Sequence, residues 1–581
     1  MIRLCTFCLA TTFLATTAWA QSTAPAQPEN TVSVDHKEAV TTSHYMVAAA
    51  NPHAAEVGRE VLAAGGNAVD AMVAVQFMLN LVEPQSSGIG GGAFMVYWDG
   101  EKDALTTYDG REKAPMAADG TYFLKEDGQP MNWWDAVIGG RSVGVPGTLK
   151  LLEKVHAAHG SIPWAVLLQP AIDLAEEGFE ISPRLAASIA EAQERSLDKF
   201  PATKAYFFNE DGTPKAAGTI LKNPEFAATL RLLQNEGSEP FYHGQIAQDI
   251  AAAVQATEDN PGIMTTDDLA AYEAIEREPV CAGYREYDIC GMGPPTSGGL
   301  TVGQILGILE PFNMGAMGYG PVSVHLYLEA AKLAYADRGQ YMADSDYVKM
   351  PTQGLLDHGY LMQRATLIDV DKAMPKAEPG TPPWKDASLW SPDLQVERPG
   401  TSHFAIVDAK GNGVSMTTTI ETGFGSRIMT HGFLLNNELT DFSFEPEVDG
   451  KPVANRVEGG KRPRSSMSPT IVLRDGKPVL LVGSPGGSRI INYVASTLVG
   501  VLDWGMDIQS AISMGHFVNR NGPTELEAGT DAEMLQDALV THGHEIKISD
   551  LNSGLHGIEI LGDGLLRGGA DPRREGIAVG D

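Results

Sequence analysis

The stretch that decides the fold is TSHFAIVDAKGNGVSMTTTI, residues 401–420. Two runs rich in β-branched and aromatic residues flank the turn-forming segment Ala409-Lys410-Gly411-Asn412-Gly413, which predicts a β-hairpin. Residues 471–482 repeat the pattern around Asp475-Gly476 and predict a second hairpin. Apolar residues occupy both faces of these strands, so we expect the sheets to be covered on both sides.

Helical patterns dominate the chain outside these hairpins. Asn51-Pro52 predicts a helix start with proline in the first turn, and Asn67 predicts the N-cap of a second helix that ends before Pro84. Residues 140–395 are mainly helical in pattern, and a further helix is predicted over 489–503. Stacked sheets between helical layers predict an α+β fold, a four-layer αββα sandwich.

The composition is that of a globular protein with a strong negative charge. The 581 residues are 43% hydrophobic and 7% aromatic, and the formal net charge is −32 at pH 7. Such a field repels a phosphate backbone, so we expect no nucleic-acid partner.

Residues 1–20 have the pattern of a secretory signal peptide. Arg3 supplies the positive start, Leu4 to Ala15 the apolar stretch, and Ala18-Trp19-Ala20 a small-x-small cleavage site. No later apolar run reaches the ~20 residues that a membrane span requires. We therefore expect a protein without a membrane partner, periplasmic or secreted, that begins at Gln21.

Cys5 and Cys8 would leave with the signal peptide, and Cys281 and Cys290 would remain. If Arg285-Glu286 is a two-residue turn, these cysteines face each other across a hairpin. An oxidising compartment would then permit a disulfide. Two reduced, buried thiols remain the alternative.

The motifs of common enzyme classes are missing from the sequence. There is no HExxH, GxSxG or GxxxxGK[ST] motif, and neither a metal nor an organic cofactor is indicated. Hydroxyl residues and glycines are instead concentrated after residue 400, notably Thr417-Thr418-Thr419 and Gly483-Ser484-Pro485-Gly486-Gly487. A glycine-rich helix N-terminus can hold an oxyanion with its backbone amides.

The sequence as a whole resembles the γ-glutamyltransferase family. The resemblance rests on successive blocks that include 51–92, 109–112, 335–338, 401–403, 434–438, 441–443, 464–470 and 483–487. It implies an N-terminal nucleophile hydrolase fold and self-cleavage between Gly400 and Thr401. The large subunit 21–400 and the small catalytic subunit 401–581 would then build the four-layer sandwich jointly.

The resemblance also implies the catalytic residues. Thr401 would be the nucleophile, and its α-amine, free after cleavage, has an ordinary pKa near 7.7 to 8.0 and can act as the base. Thr419 would orient Thr401. The amides of Gly486 and Gly487 would stabilise the tetrahedral intermediate.

A γ-glutamyl substrate presents an α-carboxylate and an α-ammonium. By resemblance, Arg111 with Ser465 and Ser466 would bind the carboxylate. The ammonium would be held by three acidic side chains: Glu421, Glu438 and Asp441.

Two features depart from the family pattern. Glu421 stands where many members have Asn, and it accepts hydrogen bonds but, when ionised, donates none. The segment Phe442 to Arg464, which in the family can include a lid with an aromatic gate, contains no Tyr or Trp. We expect an acceptor side open to water, which favours hydrolysis over transfer.

The sequence therefore predicts a γ-glutamyl acyltransferase and glutathione hydrolase, with glutathione as the expected small-molecule substrate. One alternative is an acylase of the same fold acting on glutaryl or cephalosporin side chains, although the acidic residues Glu421, Glu438 and Asp441 argue against it. The other is a periplasmic amino-acid or peptide-binding protein that is never cleaved.

Overall fold

The computed structural model describes residues 31–384, 390–393, 395 and 397–581. The predicted signal peptide, residues 1–20, lies outside the described residues. Within the described part of the chain, no helix combines the length and the apolar character needed to cross a bilayer.

The strand that begins at Thr401 lies near the centre of a seven-stranded sheet. Its partner strand Gly413–Thr419 follows through a tight turn, so the predicted hairpin is confirmed. Every neighbouring pair in this sheet is antiparallel. In spatial order the strands are Ile577–Gly580, Met46–Ala49, Thr401–Val407, Gly413–Thr419, Gly92–Asp99, Ala104–Gly110 and Ile275–Arg277.

The second predicted hairpin is also confirmed, and it belongs to a second seven-stranded antiparallel sheet. Asp475 and Gly476 form its turn with φ of 53° and 72°, the left-handed conformation that a two-residue hairpin turn requires. In spatial order the strands are Val40–Thr42, Leu566–Ala570, His556–Ile560, Lys477–Gly483, Thr470–Arg474, Tyr287–Gly291 and Val280–Tyr284.

Alternating side chains of each strand serve two different cores. Phe404 and Ile406 pack against helices, whereas Ala405 and Val407 face the other sheet. Leu481 of the second sheet packs in the same core as Ala405 and Val407, between the two sheets. This use of both strand faces explains the apolar runs in the sequence. The predicted α+β fold, a four-layer αββα sandwich, is confirmed.

One helical layer covers each sheet. The predicted N-caps are present, since the side chains of Asn51 and Asn67 accept backbone hydrogen bonds at the starts of the first two helices. The layer on the sheet of Thr401 consists of Pro52–Ala63, Ala68–Val82, Thr148–His159, Trp164–Glu177, Pro183–Gln193, Pro224–Glu236 and Gln245–Gln255. The layer on the other sheet consists of Gly298–Leu309, Pro321–Tyr341, His358–Ala365, Ile490–Leu502, Ile508–Ser513 and Gln536–His542.

The cysteine pair lies in an edge hairpin of the second sheet. Cys281 and Cys290 are direct partners in its register, and their sulfur atoms are joined at 2.07 Å. Arg285 adopts a positive φ of 55° in the connecting turn. The hairpin therefore closes with the two-residue turn that the sequence suggested.

Candidate active site

The hydroxyls of Thr401 and Thr419 meet at the open end of the central hairpin. The two residues are register partners, and Thr401 Oγ1 donates to Thr419 Oγ1 at 3.3 Å. Thr419 Oγ1 in turn donates to the carbonyl oxygen of Gly400 at 3.0 Å and accepts from the backbone N–H of Glu421 at 2.8 Å. One hydroxyl thus contacts both the candidate nucleophile and the carbonyl that precedes it.

Gly400 occupies a position that only glycine fits. Its φ is +156°, and a Cβ there would lie 2.1 Å from the carbonyl oxygen of Glu421 and 2.7 Å from the amide nitrogen of Gly423. Backbone atoms cannot move aside as a flexible side chain can. The peptide bond before Thr401 is therefore held in a fixed, crowded geometry.

A narrow pocket lies in front of Thr401. Arg111, which is 1% exposed, donates to the Asp441 carboxylate at 2.6 Å and also pairs with Glu438. The structure thus brings together the residues predicted to hold the two charged ends of a substrate. The pocket is lined by Arg111, Glu397, Arg398, Thr401, Thr419, Glu421, Glu438, Asp441, Ser465, Ser466, Met467, Gly487 and Ile490.

The acidic residues of this pocket are strongly desolvated. Burial raises the pKa of Glu421, Glu438 and Asp441 well above the ordinary carboxyl range, and Arg111 counteracts this for Glu438 and Asp441. Burial also raises the pKa of the adjacent Glu112 to about 8. A cation placed among these carboxyls would favour their ionised forms.

Glu397, just upstream of the Thr401 strand, places a carboxylate in the same pocket. Its oxygens accept from Arg338 Nη2 at 2.5 Å, Arg464 Nε at 3.2 Å and Ser466 Oγ at 3.2 Å. Burial disfavours the ionised form of Glu397, but the two arginines outweigh it and lower its pKa to about 2. Ser466 therefore binds a carboxylate of the same chain.

Ser465 and Gly487 lie at the pocket wall, and Gly486 directly precedes Gly487. Ser465 Oγ accepts from the amide of Met467 at 3.2 Å. Gly486 and Gly487 have φ of 135° and 59° and lead into the buried helix Ile490–Leu502. A Cβ on Gly487 would lie 2.6 Å from the carbonyl oxygen of Glu397, so the upstream segment passes directly against this turn.

A histidine and glutamate cluster elsewhere has the composition of a metal site. His325 Nδ1 and His544 Nε2 are 2.8 Å apart, and Lys332 Nζ donates to Glu329 Oε1 at 2.8 Å. The lysine ammonium already neutralises the carboxylate that a metal would need. Hydrogen bonds account for this cluster, and it carries no metal assignment.

Sequence comparison identifies the family. The sequence model described as Gamma-glutamyltranspeptidase matches residues 54–581. The chain belongs to this family. It is 39% identical over 558 residues to the glutathione hydrolase proenzyme of Bacillus subtilis (strain 168), covering 94% of this chain and 93% of that protein. It is 37% identical over 566 residues to the glutathione hydrolase proenzyme of Escherichia coli (strain K12), covering 95% of each.

The γ-glutamyltranspeptidase fold also occurs in a solved acylase. The structure of cephalosporin acylase from Bacillus halodurans superposes with a TM-score of 0.83 at 27% identity, covering 94% of this chain and 97% of that one. The chain is thus a γ-glutamyltranspeptidase family member with glutathione hydrolases and an acylase among its relatives.

Several charged residues in or next to this pocket were not predicted from the sequence. Arg338 and Arg464 fall inside the family-like blocks 335–338 and 464–470, which is the signal that could have marked them. Glu397 lies outside every block and carries no such signal. Arg574 donates from Nη1 to the carbonyl oxygen of Thr401 at 3.2 Å, from a segment 173 residues away in sequence.

Proposed function

We propose that this protein is a self-cleaving γ-glutamyltransferase and glutathione hydrolase with Thr401 as its nucleophile. The observation that carries the proposal is the contact of one hydroxyl, that of Thr419, with both Thr401 Oγ1 and the Gly400 carbonyl oxygen. The curated relatives bear the name proenzyme, which supports maturation by cleavage. The mature subunits would span residues 21–400 and 401–581.

Cleavage begins when Thr401 Oγ1 attacks the carbonyl carbon of Gly400. The bond between the Gly400 carbonyl carbon and the Thr401 nitrogen breaks, the hydroxyl proton passes to that nitrogen, and water hydrolyses the resulting ester. Thr419 donates to the carbonyl oxygen and stabilises the charge that develops there.

The freed amine of Thr401 then serves as the base in turnover. It accepts the hydroxyl proton as Oγ1 attacks the γ-carbonyl carbon, and the amides of Gly486 and Gly487 bind the oxyanion. The Thr401 ammonium passes this proton to the leaving amine, which departs, and water or an amine acceptor resolves the γ-glutamyl ester. The lid segment 442–464 lacks Tyr and Trp, which favours water.

Substrate binding would exploit charges that the uncut chain pairs internally. Arg111, Ser465 and Ser466 bind the α-carboxylate, which takes the place of the Glu397 carboxylate at Ser466. The ammonium is held by three buried carboxyls: Glu421, Glu438 and Asp441.

The test compares release of a chromogenic amine from γ-glutamyl anilide and from glutaryl anilide, which lacks the α-amine. We expect a preference for the γ-glutamyl compound of about 10³-fold or more, because the glutaryl compound leaves buried carboxyls without a cation. A preference for the glutaryl compound would favour the acylase alternative. No release from either, with an uncut chain, would favour a binding protein.

A further inference from the structure

Two adjacent tryptophans hold the side chain of Arg398, three residues before the proposed nucleophile. The Arg398 guanidinium carbon lies 3.9 Å from the ring centre of Trp133 and 5.6 Å from that of Trp134. The two rings meet edge to face at 4.7 Å. Both tryptophans belong to the short helix Trp133–Val137 and remain partly exposed.

The Arg398 guanidinium packs on aromatic ring faces and is not paired with a carboxylate. Among the described residues, no acidic side chain lies within ion-pair distance of Arg398, and its side chain forms no hydrogen bond. Burial lowers the pKa of Arg398, and nearby Arg195 lowers it further against the opposing effect of Glu421. The Trp133 face therefore holds a planar group in the absence of charge pairing.

Arg398 connects the two rings to the proposed active site. Arg398 lines the pocket in front of Thr401, and its backbone N–H donates to Glu421 Oε1 at 3.2 Å. Its side chain runs outward from there to the partly exposed rings. Trp133 also packs on the apolar cluster that contains Leu439 and Phe442, next to the predicted ammonium-binding residues.

Only one of the two rings would become available after cleavage. Trp134 is also covered by Arg195, at 4.8 Å, and by Arg427, at 5.8 Å, and neither depends on the upstream segment. Among these three arginines, only Arg398 lies over Trp133. Cleavage after Gly400 would create a free chain end close to Arg398. Arg398 could then leave the face of Trp133 and make it available to a ligand.

We propose that Trp133 forms a subsite for a planar side chain, aromatic or guanidinium, of the group that leaves from or attacks the γ-glutamyl carbon. This inference rests on the proposed function. The γ-glutamyl end is bound at the inner, buried carboxyls, so the leaving or accepting amine extends toward the entrance. Arg398 occupies the subsite in the uncut chain. Trp133 thus supplies an aromatic wall where the lid segment 442–464 has no Tyr or Trp.

The test uses glutamine as donor, because its leaving group is ammonia and has no side chain. Transfer to phenylalanine, arginine and leucine is followed by mass spectrometry of the products. In the wild type, we expect KM values for phenylalanine and arginine about three- to tenfold below that for leucine, the range given by stacking on one ring. This comparison needs no variant, and equal values would overturn the proposal.

Variants then assign the preference to Trp133. Trp133→Leu should raise the ratio of the phenylalanine KM to the leucine KM by about three- to tenfold, and Trp133→Phe should restore most of the preference. Tyr287→Leu is the matched control, because Tyr287 is half-buried beneath Arg474, at 5.8 Å, in the edge hairpin of the second sheet. It should leave the ratio unchanged.

Failure of the subsite is distinct from failure of the proposed function. A wild type that cleaves itself and hydrolyses glutamine, with the same ratio in Trp133→Leu, would overturn the subsite alone. If Trp133→Leu changed the KM for arginine but not the KM for phenylalanine, recognition of planar groups would also be contradicted. A chain that neither cleaves itself nor hydrolyses glutamine would overturn both inferences.

Discussion

Thr401 and Thr419 face each other as register partners at the end of the central hairpin, with their hydroxyl oxygens 3.3 Å apart. The strand pair therefore fixes this contact through its backbone, without help from a flexible loop. Because Thr419 also donates to the Gly400 carbonyl oxygen, one side chain would assist both self-cleavage and turnover.

Removal of the Thr419 hydroxyl should impair both reactions. We expect Thr419→Val, which keeps the side-chain shape, to slow self-cleavage, because the donor to the Gly400 carbonyl oxygen is lost. It should also lower kcat by about 10²-fold, because Thr401 Oγ1 loses the hydroxyl that orients it. Thr419→Ser should recover much of the loss. Timed intact-mass analysis and steady-state kinetics check this. Wild-type rates in Thr419→Val would show that the contact has no catalytic role.

Gly400→Ala should block or strongly delay cleavage. Its Cβ would meet the carbonyl oxygen of Glu421 at 2.1 Å, so the peptide bond must leave its position in front of Thr401. Gly411→Ala is the matched control, because Gly411 also has a positive φ but has open space around it. We expect the control to cleave normally in the same gel assay. Equal cleavage of both variants would refute the importance of the Gly400 geometry.

The KM for the γ-glutamyl donor should depend on pH. Burial raises the pKa of Glu421, Glu438 and Asp441, so these groups are protonated at pH values where exposed carboxyls are ionised. Since the ionised carboxylates hold the ammonium, KM should fall as pH rises from about 5.5 to about 7.5. This range lies below the pH at which the donor's α-ammonium loses its own proton. Glu421→Gln should make this dependence shallower. A KM that rises over this range would contradict the assignment.

Arg574 should act as a positioning residue for Thr401. It donates to the Thr401 carbonyl oxygen at 3.2 Å, so Arg574→Met removes a charged hydrogen bond that holds the backbone of the nucleophile. We expect kcat to fall about tenfold with little change in the donor KM. Arg567→Met, at a half-buried arginine of the same C-terminal region, is the control. A change confined to KM would indicate a substrate-binding role instead.

The sequence predicted those parts of the fold that depend on local signals. The two hairpins follow from strand patterns beside tight turns, and the caps at Asn51 and Asn67 follow from side chains that bond within their own helix. The candidate site followed from resemblance, because its members are far apart in the chain. Arg111 and Glu438, for example, are separated by 327 residues.

The contacts around the upstream segment could not be predicted in this way. Glu397 is ion-paired with Arg338 and Arg464, and Arg398 packs on Trp133, but each contact requires the folded arrangement of several layers. Charge and aromaticity in the sequence do not specify partners at such distances. The contact on which the proposed Trp133 subsite depends thus became visible only in three dimensions.

The most direct test of the central claim is the intact mass of wild-type, Thr401→Ala and Thr401→Ser proteins purified in parallel. If Thr401 cleaves the chain, the wild type yields two fragments and the smaller has the mass of residues 401–581. Thr401→Ala stays uncut, and Thr401→Ser is cut at the same bond, because serine keeps the hydroxyl. A wild type that remains one chain, or a Thr401→Ala protein cut at this position, would contradict the account.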